Sequence, residues 1–286
     1  TSSDHLRAIL SSKSLFATPI NETNDRTELQ TAKVLICPEI ATRITRHILD
    51  ARSDIAAGMI NQGLDPIEIS RRDAERIYDA LISVETHIPR LTCFTHHSEK
   101  HHQENGNLTM WRSYGATDGG ICIRFDTVRI ISALDDLIEN DRLLFYTLLD
   151  VTYGTSSETF IERLNGCEDV FQLGSDLIAN HFNLEYSPPP ETLMRFTILA
   201  SMAKHPDFTD EREVRIVCID HPERDKIPNA LQVNGSKLLL PLEPCISQIM
   251  IGPSSDQDAV HNAVSNVLDE CGRSDIEITR SPTPFR

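Results

Sequence analysis

Positive charge is the scarcest commodity in this chain. Lysine and arginine number 27 against 43 aspartates and glutamates, leaving a formal charge of −16. A surface that acidic repels phosphate backbones, so sequence-blind nucleic-acid binding is not expected. Aromatic residues make up 6%, with a single tryptophan. No apolar run reaches bilayer-spanning length, and no signal-peptide pattern opens the chain, which excludes a membrane span and points to the cytoplasm. The seven cysteines (37, 93, 122, 167, 218, 245, 271) are odd in number and never spaced as CxxC. Most lie in apolar runs such as "KVLIC" and "VRIVCI", where they read as small core residues of a reduced, intracellular protein. HExxH, internal repeats and low-complexity tracts are also lacking.

What remains is an ordinary globular composition, 40% apolar and 24% charged over 286 residues. "SSDHLRAILSS" predicts a short capped helix, followed by an extended "SLFATP" and a polar loop, "INETNDRTE". Residues 28–85 carry helical spacing, with Asp65-Pro66 suited to an N-cap and first helical position. "RLTCFT", "GGICIRFD", "LDVTYG", "EREVRIVCID" and "KLLLPL" read as strands. Residues 128–150 and 158–183, together with "PPPETLMRFTILASMAKHPDF", read as mostly helical. The tail "ISQIMIGP", "DQDAVHNAVSNVLDECG", "DIEITRS" predicts a closing β-α-β unit. The mixture is irregular, so the expected class is α+β: one domain over 1–286, with residues 28–88 as a helical insertion or subdomain.

Four segments are candidates for chemistry. "FTHHSEKHHQENG" holds four of the eleven histidines within His96–His102. In a helix His97 and His101 would share a face and could bind Zn²⁺ or Ni²⁺ with Glu99 or Glu104. No cysteine or HExxH supports that set, and "ENGN" is a loop signature, so a solvated loop is the preferred reading and no metal is assigned. "MWRSYG" places Trp111, Arg112 and Tyr114 together; they could hold a flat ring bearing a phosphate, or simply anchor the entry to the next strand. In "DFTDEREVRIV" an extended backbone would align Glu211, Glu213 and Arg215 on one face. Such carboxylates could stabilise positive charge at a sugar carbon, hold a divalent metal for phosphodiester hydrolysis, or form a salt-bridged strand start. Asn24-Asp25 could make an Asx-turn and decides nothing alone.

Taken in order, "LFATP", "ND..E", "CFT", "MW..YG...GGICIRFD", "K...F..E.E.RIV", "IMIGP" and "S.TPFR" resemble a bacterial family catalogued as domain of unknown function 2971. The resemblance spans most of the chain and is thinnest over 28–85 and parts of 128–190. It implies an ADP-ribosyltransferase-like layout in a setting of phage defence or toxins, with NAD as the molecule consumed. Glu213, with Glu211 two residues earlier, would then be catalytic. Trp111 or Tyr114 would stack on nicotinamide, Arg112 or Arg215 would pair with pyrophosphate, and Asn24 and Asp25 would belong to the binding region. It also implies that the first NAD-binding residue stands before residue 1 and that the acceptor is an unidentified protein, a nucleic acid or water. A metal-dependent nuclease using Asp207, Asp210, Glu211 and Glu213, and a non-catalytic binding or regulatory module, are the alternatives. In the latter, Glu211 and Glu213 would pair with arginines and hold the fold.

Overall fold

The computed structural model describes residues 1–23, 28–51, 53–82, 88–115, 120–153 and 190–284. Asn24 and Asp25 lie outside them, as does the helix expected over 158–183. The described chain is a mixed α+β structure with three sheets. It divides into two compact units, one of Thr1–Thr18, Thr92–Tyr146 and Asp210–Arg286, the other of Pro19–Leu91 and Thr147–Thr209.

In the first unit, α1 (Ser3–Ser12) begins where the Ser2 hydroxyl accepts a hydrogen bond from the His5 amide. Strands β1 (Leu15–Pro19), β2 (Arg90–Thr95), β4 (Leu143–Asp150), β7 (Glu213–Asp220), β8 (Val233–Asn234) and β9 (Lys237–Leu240) form a sheet in the order β4-β7-β2-β1-β9-β8. β9 is antiparallel to both β1 and β8. A second sheet sets β10 (Ile246–Ile251) between β3 (Ile121–Phe125), to which it is antiparallel, and β11 (Glu277–Arg280), to which it is parallel. The helix Gln257–Glu270, capped by Asp256, supplies the crossover of the expected β-α-β unit. Leu6 and Leu10 of α1 share a buried core with Ile121, Ile249, Val264 and Leu268.

Two short helices follow β2: α5 (Lys100–Asn105) and α6 (Leu108–Tyr114). The histidine segment, expected as a loop, is therefore partly helical. After β3 comes α7 (Thr127–Glu139), capped by Asp126. The helix expected over 128–150 ends there. Asn140 closes it, Asp141 turns left-handed at φ 54°, and "LLFYTLLD" continues as β4. That run of large apolar, aromatic and Thr residues lacks the 3.6-residue alternation that would mark a helix.

The second unit is built on α2 (Glu28–Ala51), α3 (Ser53–Asn61) and α4 (Pro66–Ile82). Ile36, Ile40, Ile44 and Ile48 recur every four residues along one face of α2, and all are buried. They share a core with Ala74, Ile77 and Tyr78 of α4 and with Phe196 and Leu199 of α8 (Pro190–Ala200). Tyr78 meets Phe196 edge to face at 5.5 Å, and its hydroxyl donates to the Leu29 carbonyl at 2.8 Å. α4 starts as expected, with the Asp65 carboxylate accepting from the Ile67 amide at 2.9 Å. Burial pushes the Cys37 thiol up to about 12, which suits a core residue rather than a reactive one. The helices expected over 28–88 thus share their core with residues near 200. A two-stranded parallel sheet, β5 (Thr152–Tyr153) with β6 (Ala203–Lys204), completes the unit.

Candidate functional site

The site residues of the first unit gather where β7 begins. Strand geometry sends alternate side chains to one face, and Glu213 and Arg215 both point inward. Glu213 is 6% exposed and Arg215 0%. The guanidinium grips the carboxylate through Nε–Oε1 at 2.6 Å and Nη2–Oε2 at 3.2 Å. Glu211 does not share their face. It closes a 3₁₀ turn, and Arg212 after it is left-handed at φ 46°, so the extended backbone starts only at Glu213. Glu211 instead accepts a hydrogen bond from the Tyr114 hydroxyl at 2.8 Å.

α6 is docked to this turn by its cap. The Asn107 side chain accepts from the Thr109 and Met110 amides and donates through Nδ2 to the Asp210 carbonyl at 2.7 Å. Asn107 is buried, as a side chain joining two segments about 100 positions apart must be. Trp111 is an anchor. Its indole N–H donates to the Asn105 carbonyl at 3.1 Å, and its ring lies against Gly106 and Gly252. A Cβ on those glycines would sit 2.5 Å and 2.7 Å from ring atoms, so both positions need glycine for the ring to fit. The Ser281 hydroxyl donates to the same Asn105 carbonyl at 2.5 Å, fastening residues 281–284 beside α5.

These segments enclose a cleft of 470 Å³ lined by His101 and His102 of α5, Asn105–Thr109, Asp210, Arg212 and Pro282–Pro284. Arg212 pairs with Glu99 at 2.7 Å, and its carbonyl accepts from the His96 amide at 2.8 Å. That guanidinium holds the Glu99 carboxyl below its ordinary value. Burial lowers His97, helped by the neighbouring His102 and Arg124. Among the described residues no group of three or more His, Cys, Asp or Glu side chains is placed to hold a metal ion.

Of the residues singled out from sequence, Glu211 and Tyr114 are brought together, Glu213 and Arg215 form the buried pair, and Trp111 packs on glycines. Arg112 lies on the exposed side of α6. Arg212 and Asn107 are cleft residues that sequence reasoning did not single out; Asp210, counted there only as a metal ligand of the nuclease alternative, also lines the cleft. Asn107, three residues before "MW", had a legible cap signal. Arg212 had none, because a left-handed arginine has no signature of its own.

With an α+β fold and a polar cleft in place, the comparisons bear on family. The family model described as "Protein of unknown function (DUF2971)" matches residues 110–216, which hold "MWRSYG", "GGICIRFD" and "EREVRI". The match supports the resemblance to that family drawn from motif order. No curated protein and no solved structure matches the chain. No helix among the described residues is long and apolar enough to cross a membrane.

Proposed function

We propose that the first unit consumes NAD, as an ADP-ribosyltransferase or NAD glycohydrolase of ADP-ribosyltransferase-like layout, in a bacterial defence or toxin setting. NAD is the substrate, not a resident cofactor. The observation that carries this reading is the pairing of Glu211 with Tyr114 beside the cleft. Glu211 is a partly exposed carboxylate, oriented by a tyrosine hydroxyl at 2.8 Å, and it stands in the chain between two cleft-lining residues, Asp210 and Arg212. Glu213 is the weaker choice, because its carboxylate is buried against Arg215. In the reaction the bond from the ribose C1′ to nicotinamide breaks, and its electron pair leaves on the neutral nicotinamide. Glu211 stabilises the positive charge left on the sugar. The acceptor's oxygen or nitrogen then forms the new bond to C1′ and releases its proton to solvent through a carboxylate.

The test is nicotinamide release from NAD. Glu211→Gln should lower the rate by roughly 100-fold or more with unchanged folding, the usual scale for losing such a group. Wild-type release equal to a protein-free blank, or a Glu211→Gln rate equal to wild type, overturns the reading. The non-catalytic module has one observation of its own, the Glu213–Arg215 pair, which serves the fold. The nuclease reading needs a metal-holding set that the described residues do not form.

A further inference from the structure

We infer that Arg212 is the anion-binding residue of the cleft, taking a phosphate or pyrophosphate group, and that Glu99 holds its guanidinium until the ligand displaces it. The inference rests on the reading above for the identity of the ligand, but not for the presence of an anion site. Of the arginines first considered for such a role, Arg215 is fully buried against Glu213, and Arg112 is not among the residues lining the cleft. Arg212 lines the cleft, keeps 37% of its side chain exposed, and is the one permanently charged cation among the described lining residues. Its left-handed backbone is a conformation that arginine rarely adopts and that only surrounding contacts sustain. Those contacts are the His96 amide on its own carbonyl and Asn107 on the carbonyl of Asp210.

The Glu99 contact is a single, solvent-exposed ion pair, the weak kind. A phosphate offers the same guanidinium two oxygens at once, a stronger and more directional arrangement. Once released, Glu99 has a neighbour ready: His102 Nδ1 lies 4.0 Å from its other oxygen, buried and without a hydrogen-bond partner among the described residues. Thr109 and Thr283 also line the cleft, their hydroxyl protons directed at 3.5 Å to the Asp210 carboxylate and the Asn105 carbonyl. Asp210 is the only carboxylate among the described lining residues and opposes an anion, so affinity falls on Arg212.

Calorimetric titration of the full chain with ADP-ribose and with inorganic pyrophosphate tests the proposal. Arg212→Asn suits the left-handed backbone and should weaken both ligands by about 10-fold or more, with Arg212→Lys in between. Glu99→Gln removes the competitor and should tighten both by roughly 3- to 10-fold, a gain that a merely structural ion pair would not give. Thermal melts check that each variant is folded, and Arg212→Gly replaces Arg212→Asn if the latter melts early. The proposal falls if neither probe binds wild type, if Arg212→Asn or its replacement binds like wild type, or if Glu99→Gln fails to tighten. The two readings separate cleanly. Pyrophosphate binding with this pattern, but no nicotinamide release, removes NAD consumption and keeps the anion site. Glu211-dependent release with an unchanged KM in Arg212→Asn does the reverse.

Discussion

Both units bury carboxylates, and Glu213 of the first and Asp73 of the second are held in opposite ways. In the first unit Glu213 is 6% exposed and gripped through both oxygens by Arg215, itself 0% exposed. In the second, Asp73 of α4 is 1% exposed, and neither of its oxygens has a hydrogen-bond partner among the described residues. Its nearest cations, Arg72 and Arg76, are 3.7 Å and 3.6 Å away with side chains about 60% exposed. Burying a carboxylate costs several kcal/mol unless donors replace the lost water. Glu213 has such donors on its own strand two residues along. Asp73 does not, and burial raises its pKa. The comparison separates a fixed charge, which organises the mouth of β7, from a carboxyl group held against its ionisation.

Breaking the first pair should have the largest effect. Glu213→Ala removes the carboxylate that grips a fully buried guanidinium through two contacts, and the expected loss is about 3–5 kcal/mol, read by chemical denaturation. The double replacement Glu213→Leu with Arg215→Met removes both charges and should recover most of that loss. If the single variant is as stable as wild type, the pair is not the structural element described here. Should the double variant also keep nicotinamide release, Glu213 is excluded from the chemistry and Glu211 is left to carry it.

Next in size is Asp73→Asn, with the opposite sign. A carboxyl whose folded pKa is raised favours folding below its unfolded pKa, and that contribution is lost as pH rises through the folded value. At neutral pH the aspartate is therefore a liability. The amide should stabilise the protein there by roughly 1–3 kcal/mol, the scale for an unsatisfied buried group. The gain should shrink as pH falls toward the ordinary carboxyl range of about 4, where the wild-type side chain takes up a proton, and vanish below it. Melting curves of both proteins from pH 4 to 8 provide the check. A gain that grows as pH falls would show the carboxylate to be favourably held.

How legible these two sites were differs as much as their chemistry. The strand "EREVRIVCID" and its alternation were readable, so Glu213 and Arg215 were correctly set on one face. What sequence could not give is that the face points inward, since an i,i+2 Glu-Arg pattern is equally normal on a solvated edge. Glu211 was misplaced by two residues' worth of geometry, because the left-handed turn at Arg212 ends the extended backbone. The helices of 28–82 and the β-α-β tail were legible from periodicity and caps. α5 was missed because a six-residue helix of polar residues has no apolar stripe to betray it. Asp73 carried no signal at all, sitting in "ISRRDAERI" like any surface charge. Only the packing of α4 makes it a buried one.

The smallest change is the most discriminating about distance. Arg76→Gln removes a cation 3.6 Å from Asp73 and itself about 60% exposed. Solvent screens such a pair, so the expected cost is at most about 0.5 kcal/mol at neutral pH. The direction of the titration is still fixed, because Arg76 is one of the charges that pull the Asp73 pKa down against burial. Without it the carboxyl should titrate higher, visible in the carbonyl chemical shift of Asp73 followed by NMR across pH. Combined with Asp73→Asn, the arginine change should lose its effect, since no charge remains for it to act on. An effect that survives in the double variant would mean that Arg76 contributes through its methylene packing. A cost comparable to that of Glu213→Ala would mean that an exposed arginine at this range can do what Arg215 does through two direct hydrogen bonds.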